Sequence, residues 1–116
     1  MIIEYIDSSV RMSRATIYNG TAYFCGQVPK DESADIKEQT ATTLEKIEEL
    51  LAKVGSSKSQ ILTSTIYLAD MKYFQSMNEV WDAWVVPNFQ PARTCVEAKM
   101  ARPELLVEIT ITAALA

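Results

Sequence analysis

The sequence predicts an α+β domain whose six-stranded, mainly antiparallel sheet carries two helices on one face. Three observations predict it. Two stretches repeat apolar residues at three- and four-residue spacing, as amphipathic helices do. Six short stretches are rich in β-branched and aromatic residues, as strands are. Their order is three strands, helix, strand, helix, two strands, which collects helices on one side of a sheet.

The first strands are expected at Ile2–Ile6, Ala15–Tyr18 and Thr21–Cys25. Between the second and third, Tyr18-Asn19-Gly20-Thr21 holds the Asn-Gly pair that favours a tight hairpin. Pro29–Ala34 reads as a polar loop. In the helix after it, Ile36, Thr40, Leu44, Ile47, Leu51 and Val54 form one stripe. Asp35 followed by Glu38 resembles a capping box, and Gly55 stands where a left-handed cap ends a helix.

The β-branched run Ile61–Leu68 is the fourth strand, and Thr63, Thr65 and Tyr67 share a polar face that suits a partly exposed or interface surface. A second helix is expected over about Lys72–Val86. Phe74, Met77, Trp81 and Trp84 make its stripe and Pro87 stops it. Both tryptophans are read as packing residues rather than ligand platforms. The last strands are Ala92–Ala98 and Leu105–Ala114. The crossovers into the fourth and fifth strands each permit a parallel pairing.

The whole chain, 1–116, reads as one domain. At 48% hydrophobic it can form a core, yet 116 residues leave much surface in water, so self-association is a reasonable way to bury more. The net charge is −4 and the 11 basic residues are scattered, which argues against nucleic-acid binding. No run of about 18 apolar residues suits a membrane span, and no targeting signal is recognised, so a cytoplasmic location is expected. Cys25 and Cys95 are expected to be free thiols. The chain has no His, which removes Ser-His-Asp and Cys-His machinery and the commonest zinc ligand. No cofactor or metal is expected.

The chemistry-bearing residues cluster near the end. Strand periodicity places Arg93, Cys95 and Glu97 on one face, and Leu106, Glu108, Thr110 and Thr112 on one face of the last strand. If these two strands form an antiparallel hairpin with Cys95 opposite Glu108, then Arg93, Cys95 and Glu108 share a face. An Arg fork suits a carboxylate ligand, and Glu108 can position or deprotonate a water. The alternative is an exposed Arg93–Glu108 ion pair, and both readings stand at this point. Gly26 either makes a turn or permits close backbone approach to a ligand.

Several blocks resemble the RidA/YjgF family, also called RutC: Cys25-Gly26-Gln27-Val28-Pro29, Glu38-Gln39-Thr40, Thr65-Ile66-Tyr67-Leu68-Ala69-Asp70, Phe74 with Asn78, Pro91-Ala92-Arg93-Thr94-Cys95-Val96 and Val107-Glu108-Ile109. The resemblance covers nearly the whole chain. It implies a chorismate-mutase-like fold and a homotrimer with clefts between subunits. It also implies cofactor-free hydrolysis of reactive 2-imino acids (2-iminobutanoate or 2-iminopropanoate type) to 2-oxo acids and ammonia. The carboxylate-binding Arg falls on Arg93, the family's Cys on Cys95, the water-positioning Glu on Glu108, and the cleft-lining Gly on Gly26. The family's N-terminal Gly-Pro-Tyr-Ser-Gln-like segment is missing. Met12 stands in the place of its Tyr, and Cys25 replaces the usual small hydroxyl residue. The resemblance implies that Cys25 and Cys95 lie near each other at a cleft. Arg93 and Glu108 are thus candidate catalytic residues, and Arg93, Cys95, Gly26, Cys25 and Met12 candidate substrate-binding ones. A non-catalytic module binding a 2-oxo acid-like metabolite is the competing function. Ribonuclease action, attributed to some relatives, fits the acidic composition poorly.

Overall fold

The computed structural model describes residues 2–116. Its strands are β1 (Glu4–Ile6), β2 (Ala15–Tyr18), β3 (Thr21–Phe24), β4 (Ile61–Leu68), β5 (Ala92–Glu97) and β6 (Val107–Ala114), and its helices α1 (Ile36–Val54) and α2 (Phe74–Trp84). They form one six-stranded sheet in the order β1-β2-β3-β6-β4-β5. All pairings are antiparallel except β4–β5, which is parallel.

Local chemistry sets the element ends. The Asp35 side chain accepts from the Glu38 N–H at 2.9 Å, and Gly55 adopts φ 81° to close α1, a conformation that suits glycine. Asn19 (φ 53°) and Gly20 (φ 79°) turn the β2–β3 hairpin. The second helix begins later than expected. Residues Met71–Tyr73 form a 3₁₀ turn, capped by Asp70 on the Lys72 N–H, before α2 proper starts at Phe74.

Both helices pack on one sheet face. The core joins Leu44, Ile47 and Leu51 of α1 and Met77 and Trp81 of α2 to Ile66, Leu68, Ile109 and Ile111 of the central strands. Burial alternates without a break along β6, as a half-covered strand requires. In β4 a register shift between Ile61 and Thr63 adds one residue, so Leu62 is exposed rather than buried. The opposite sheet face lies open. It presents Tyr5, Tyr23, Thr63, Thr65, Thr110 and Thr112 to solvent, with Tyr23 48% exposed. A Thr63–Thr112 hydroxyl hydrogen bond of 2.6 Å crosses that face.

Strand order departs from the expected hairpin. β5 and β6 do not pair, because β4 lies between them, bonded to β5 on one side and β6 on the other. The cause is the β4–α2–β5 unit, whose crossover helix brings β5 back parallel to β4. The segment 98–106 then steps over β4. Of the two possible parallel crossovers only this one is realised, since β6 inserts between β3 and β4.

Gln39 anchors that step. Its buried amide nitrogen donates to the carbonyls of Glu32, Ala34 and Glu104, and its oxygen accepts from the Leu106 N–H at 2.9 Å. One side chain thereby satisfies backbone groups of the 29–34 loop and of the entry to β6. Gln39→Leu, which keeps the volume and strands these groups, is expected to cost about 2–4 kcal/mol in urea unfolding. An unchanged midpoint would contradict this role.

Candidate functional site

Arg93 lies on the edge strand β5, opposite Ser64 in the parallel ladder, with its side chain on the helix-covered face. Its guanidinium carbon sits 5.5 Å from the Trp81 ring centroid and 5.9 Å from that of Phe74. It is half-buried and belongs to none of the ion pairs found among the described residues. The exposed Arg93–Glu108 ion pair that pattern alone left open is therefore absent. Cys95 follows two residues along on the same face, opposite Ile66. Burial pushes its thiol up from the usual cysteine value, with the Arg93 charge opposing. A thiol held protonated in this way is a poor nucleophile at neutral pH.

Glu108 lies on the open face, opposite Tyr67. Its carboxylate passes over Gly26, where an added Cβ would stand 2.1 Å from Oε2. The register against β6 moves by one residue between the Tyr23–Thr112 pair and the Gln27–Ile109 bridge. Cys25 and Gly26 thus form a bulge beside Glu108, a device that re-aims backbone near functional sites. The bulge is pinned by reciprocal backbone hydrogen bonds between Gln27 and Ile109 of 2.8 and 3.0 Å. Gln27 also donates through its amide to the Cys25 carbonyl and sulfur. Glu108, Tyr67, Thr110, Lys99 and Met100 line a cavity of about 280 Å³.

Met12 and Cys25 line a separate, larger cavity of about 590 Å³ with Tyr5, Arg11, Ser13 and Tyr23. It is a shallow, open depression bordered by the turn after β1, which Asp7 enters at φ 50° and Ser9 ties back to Met12. The structure therefore joins Gly26 to Glu108 and Met12 to Cys25, and keeps Arg93 with Cys95.

It does not bring these sets together as the hairpin reading required. Arg93 and Cys95 share a face with Ser64 and Ile66, whereas Glu108 shares the other face with Tyr67. A strand spacing of about 4.8 Å, counted twice, separates β5 from β6, and the sheet itself stands between the two faces. Cys25 and Cys95 are both free, but β6 and β4 lie between their strands, so they are not neighbours within one chain. Sequence reasoning also missed the setting of Arg93. Phe74, Asn78 and Trp81 occupy positions i, i+4 and i+7 on the α2 face turned to β5, a spacing visible in the sequence.

The chain matches the family model "Endoribonuclease L-PSP" over residues 3–115. It is 50% identical over 114 residues to a "RutC family protein" of Haemophilus ducreyi, covering 98% of this chain and 97% of that one. It is 48% identical over 114 residues to the RutC family protein YoaB of Escherichia coli K12, covering 98% and 99%. Its fold superposes with a TM-score of 0.96 on a crystal structure of a YjgF family member from Neisseria meningitidis, at 46% identity, covering 100% of this chain and 97% of that one.

Two outcomes follow from this geometry. Gly26→Ala is expected to leave the melting temperature nearly unchanged while driving the flexible Glu108 carboxylate off its seat, which a crystal structure of the variant would register. An unmoved carboxylate would contradict the contact. Alkylation of Cys95 by iodoacetamide, followed by mass spectrometry, is expected to accelerate through an inflection above the ordinary cysteine pKa, since burial disfavours the thiolate. An inflection below that value would show an activated thiol instead.

Proposed function

The chain belongs to the RutC/YjgF family, and from that premise we propose that it hydrolyses reactive 2-imino acids to 2-oxo acids and ammonia in clefts between the subunits of a homotrimer. The observation that carries this reading is Arg93, a half-buried guanidinium at a sheet edge, backed by two aromatic rings and paired with no carboxylate of its own chain. Such a group is available to a carboxylate ligand, which it grips through two parallel hydrogen bonds.

Glu108 supplies the second half of the chemistry. Because it faces away from Arg93 across the sheet, the two act on one ligand only when they come from different copies. The open face with its exposed tyrosines and threonines is the surface such copies would share. With the carboxylate held on Arg93, the imine carbon is fixed in place. Glu108 holds a water against that carbon and takes its proton as the C–O bond forms. The proton passes to nitrogen to give the carbinolamine. Glu108 then takes the carbinolamine hydroxyl proton and returns it to the nitrogen as the C=O bond forms and the C–N bond breaks, releasing ammonia and leaving the 2-oxo acid. Cys95 and the backbone at Gly26 line the cleft, and Met12 and Cys25 shape the wall against the substrate side chain. The absence of histidine and the raised Cys95 thiol argue for water rather than a covalent nucleophile.

The matching family description names an endoribonuclease. A net charge of −4 and the lack of any histidine for acid–base work make RNA cleavage the poorer fit. A binding module that holds a 2-oxo acid without turnover uses the same Arg93 and differs only in the assay.

The test is release of 2-oxo acid from imines generated in situ by an amino-acid oxidase, with semicarbazide as the competing trap. Arg93→Ala is expected to abolish acceleration and Arg93→Lys to lose most of it, because Lys lacks the planar fork. Glu108→Gln is expected to lower turnover more than binding, and Cys95→Ala to leave substantial activity. No acceleration by the unmodified protein would leave the binding module in its place. Light scattering is expected to give a trimer mass, and a monomer at micromolar concentration would remove the cleft.

A further inference from the structure

Among the described residues, two buried side-chain polar atoms lack a hydrogen-bond partner, Ser64 Oγ and Asn78 Oδ1. Such atoms are costly and call for an explanation. Both belong to the elements that flank Arg93. Ser64 is 2% exposed and is its direct neighbour across the β4–β5 ladder. Asn78 lies on α2 between Phe74 and Trp81, the two residues whose rings flank the guanidinium. Trp81 is 5% exposed and is itself fixed by Trp84, the ring centroids 5.5 Å apart at a tilt of 44°. Trp84 in turn donates its indole N–H to Glu48 at 2.6 Å and carries Lys58 over its ring.

We propose that Phe74 and Trp81, with Asn78 and Ser64, form a seat that fixes the Arg93 guanidinium, so that Trp81 is a positioning residue of the carboxylate site. The rings attract the cation through their negative faces and hold its plane. The two unpartnered oxygens receive N–H groups from the inner edge of the guanidinium as it settles on a ligand. The outer fork is then presented, already oriented, at the sheet edge. An Arg with five donors and no carboxylate partner would otherwise sample many rotamers, and each ligand would have to order it. Asn78 and Ser64 avoid the alternative of a carboxylate partner, which would occupy the fork. The seat itself depends only on this chain's geometry, whereas its effect on ligands rests on the carboxylate reading of Arg93.

The experiment has two readouts. The first, independent of any ligand, is the ¹⁵Nε order parameter of Arg93 measured by NMR in the unmodified protein, Trp81→Leu, Trp81→Phe and Asn78→Leu. The second is the dissociation constant of 2-oxobutanoate and of its amide in the same proteins. Trp81→Leu is expected to lower the order parameter and to weaken 2-oxobutanoate about five- to tenfold, while Trp81→Phe, which keeps a ring face, retains most of both. Asn78→Leu, at a half-buried position, is expected to act in the same direction, so the seat stays testable if Trp81→Leu fails to fold. Amide binding is expected to change little, which a general loss of structure would not spare. Unchanged Arg93 order and unchanged 2-oxobutanoate affinity in a folded Trp81→Leu or Asn78→Leu variant would overturn the seat. If order falls in the variants but the unmodified protein binds no 2-oxo acid, the seat stands and the carboxylate reading fails.

Discussion

The interposition of β4 between β5 and β6 decides what this chain can do alone. It gives β5 a parallel partner and leaves β5 as the sheet edge, so Arg93 projects where another molecule can approach. It also sets Arg93 and Glu108 on opposite faces, because their shared neighbour β4 alternates Ser64 towards the helices and Tyr67 towards solvent. A hairpin between β5 and β6 would have put both groups on one face and allowed them to neutralise each other. The observed order keeps each charge free of the other, and under the proposed reading a complete site draws on two copies.

The surroundings of the two groups differ. Arg93 is cushioned by apolar rings, which tolerate a half-buried cation without supplying a competing anion. Glu108 rests over a residue with no side chain, on a bulge held by Gln27 and Ile109, so its carboxylate has a defined place. Behind both, Gln39 fastens the 29–34 loop and the start of β6 to α1, which carries backbone order from the core into the strand that bears Glu108.

Much of this was legible in the sequence. The Asp35–Glu38 and Gly55 signals located α1 because caps act on adjacent backbone groups. Strand faces were legible for the same reason: alternation at Arg93, Cys95 and Glu97, and at Glu108, Thr110 and Thr112, is a local property. Strand order was not, since pairing over dozens of residues leaves no periodic trace. The Leu62 bulge and the bulge at Cys25–Gly26 were equally invisible, as each depends on what the partner strand offers. The aromatic residues around Arg93 were seen as a helix stripe, and only the β4–α2–β5 packing turned that stripe into a seat. The family resemblance singled out Arg93 and Glu108, while the hairpin drawn from their nearness in sequence misplaced them relative to each other.

A site divided between copies has a direct test in mixed assemblies. Arg93→Ala and Glu108→Gln chains, each strongly impaired on its own, are co-expressed with different tags, and trimers carrying both tags are purified. In a closed ring with head-to-tail interfaces, every mixed trimer holds one cleft that pairs an intact Arg93 with an intact Glu108 from its neighbour, so the account predicts roughly a third of the unmodified activity. Activity no higher than that of the separate variants would contradict it, and would return both residues to a site within a single chain.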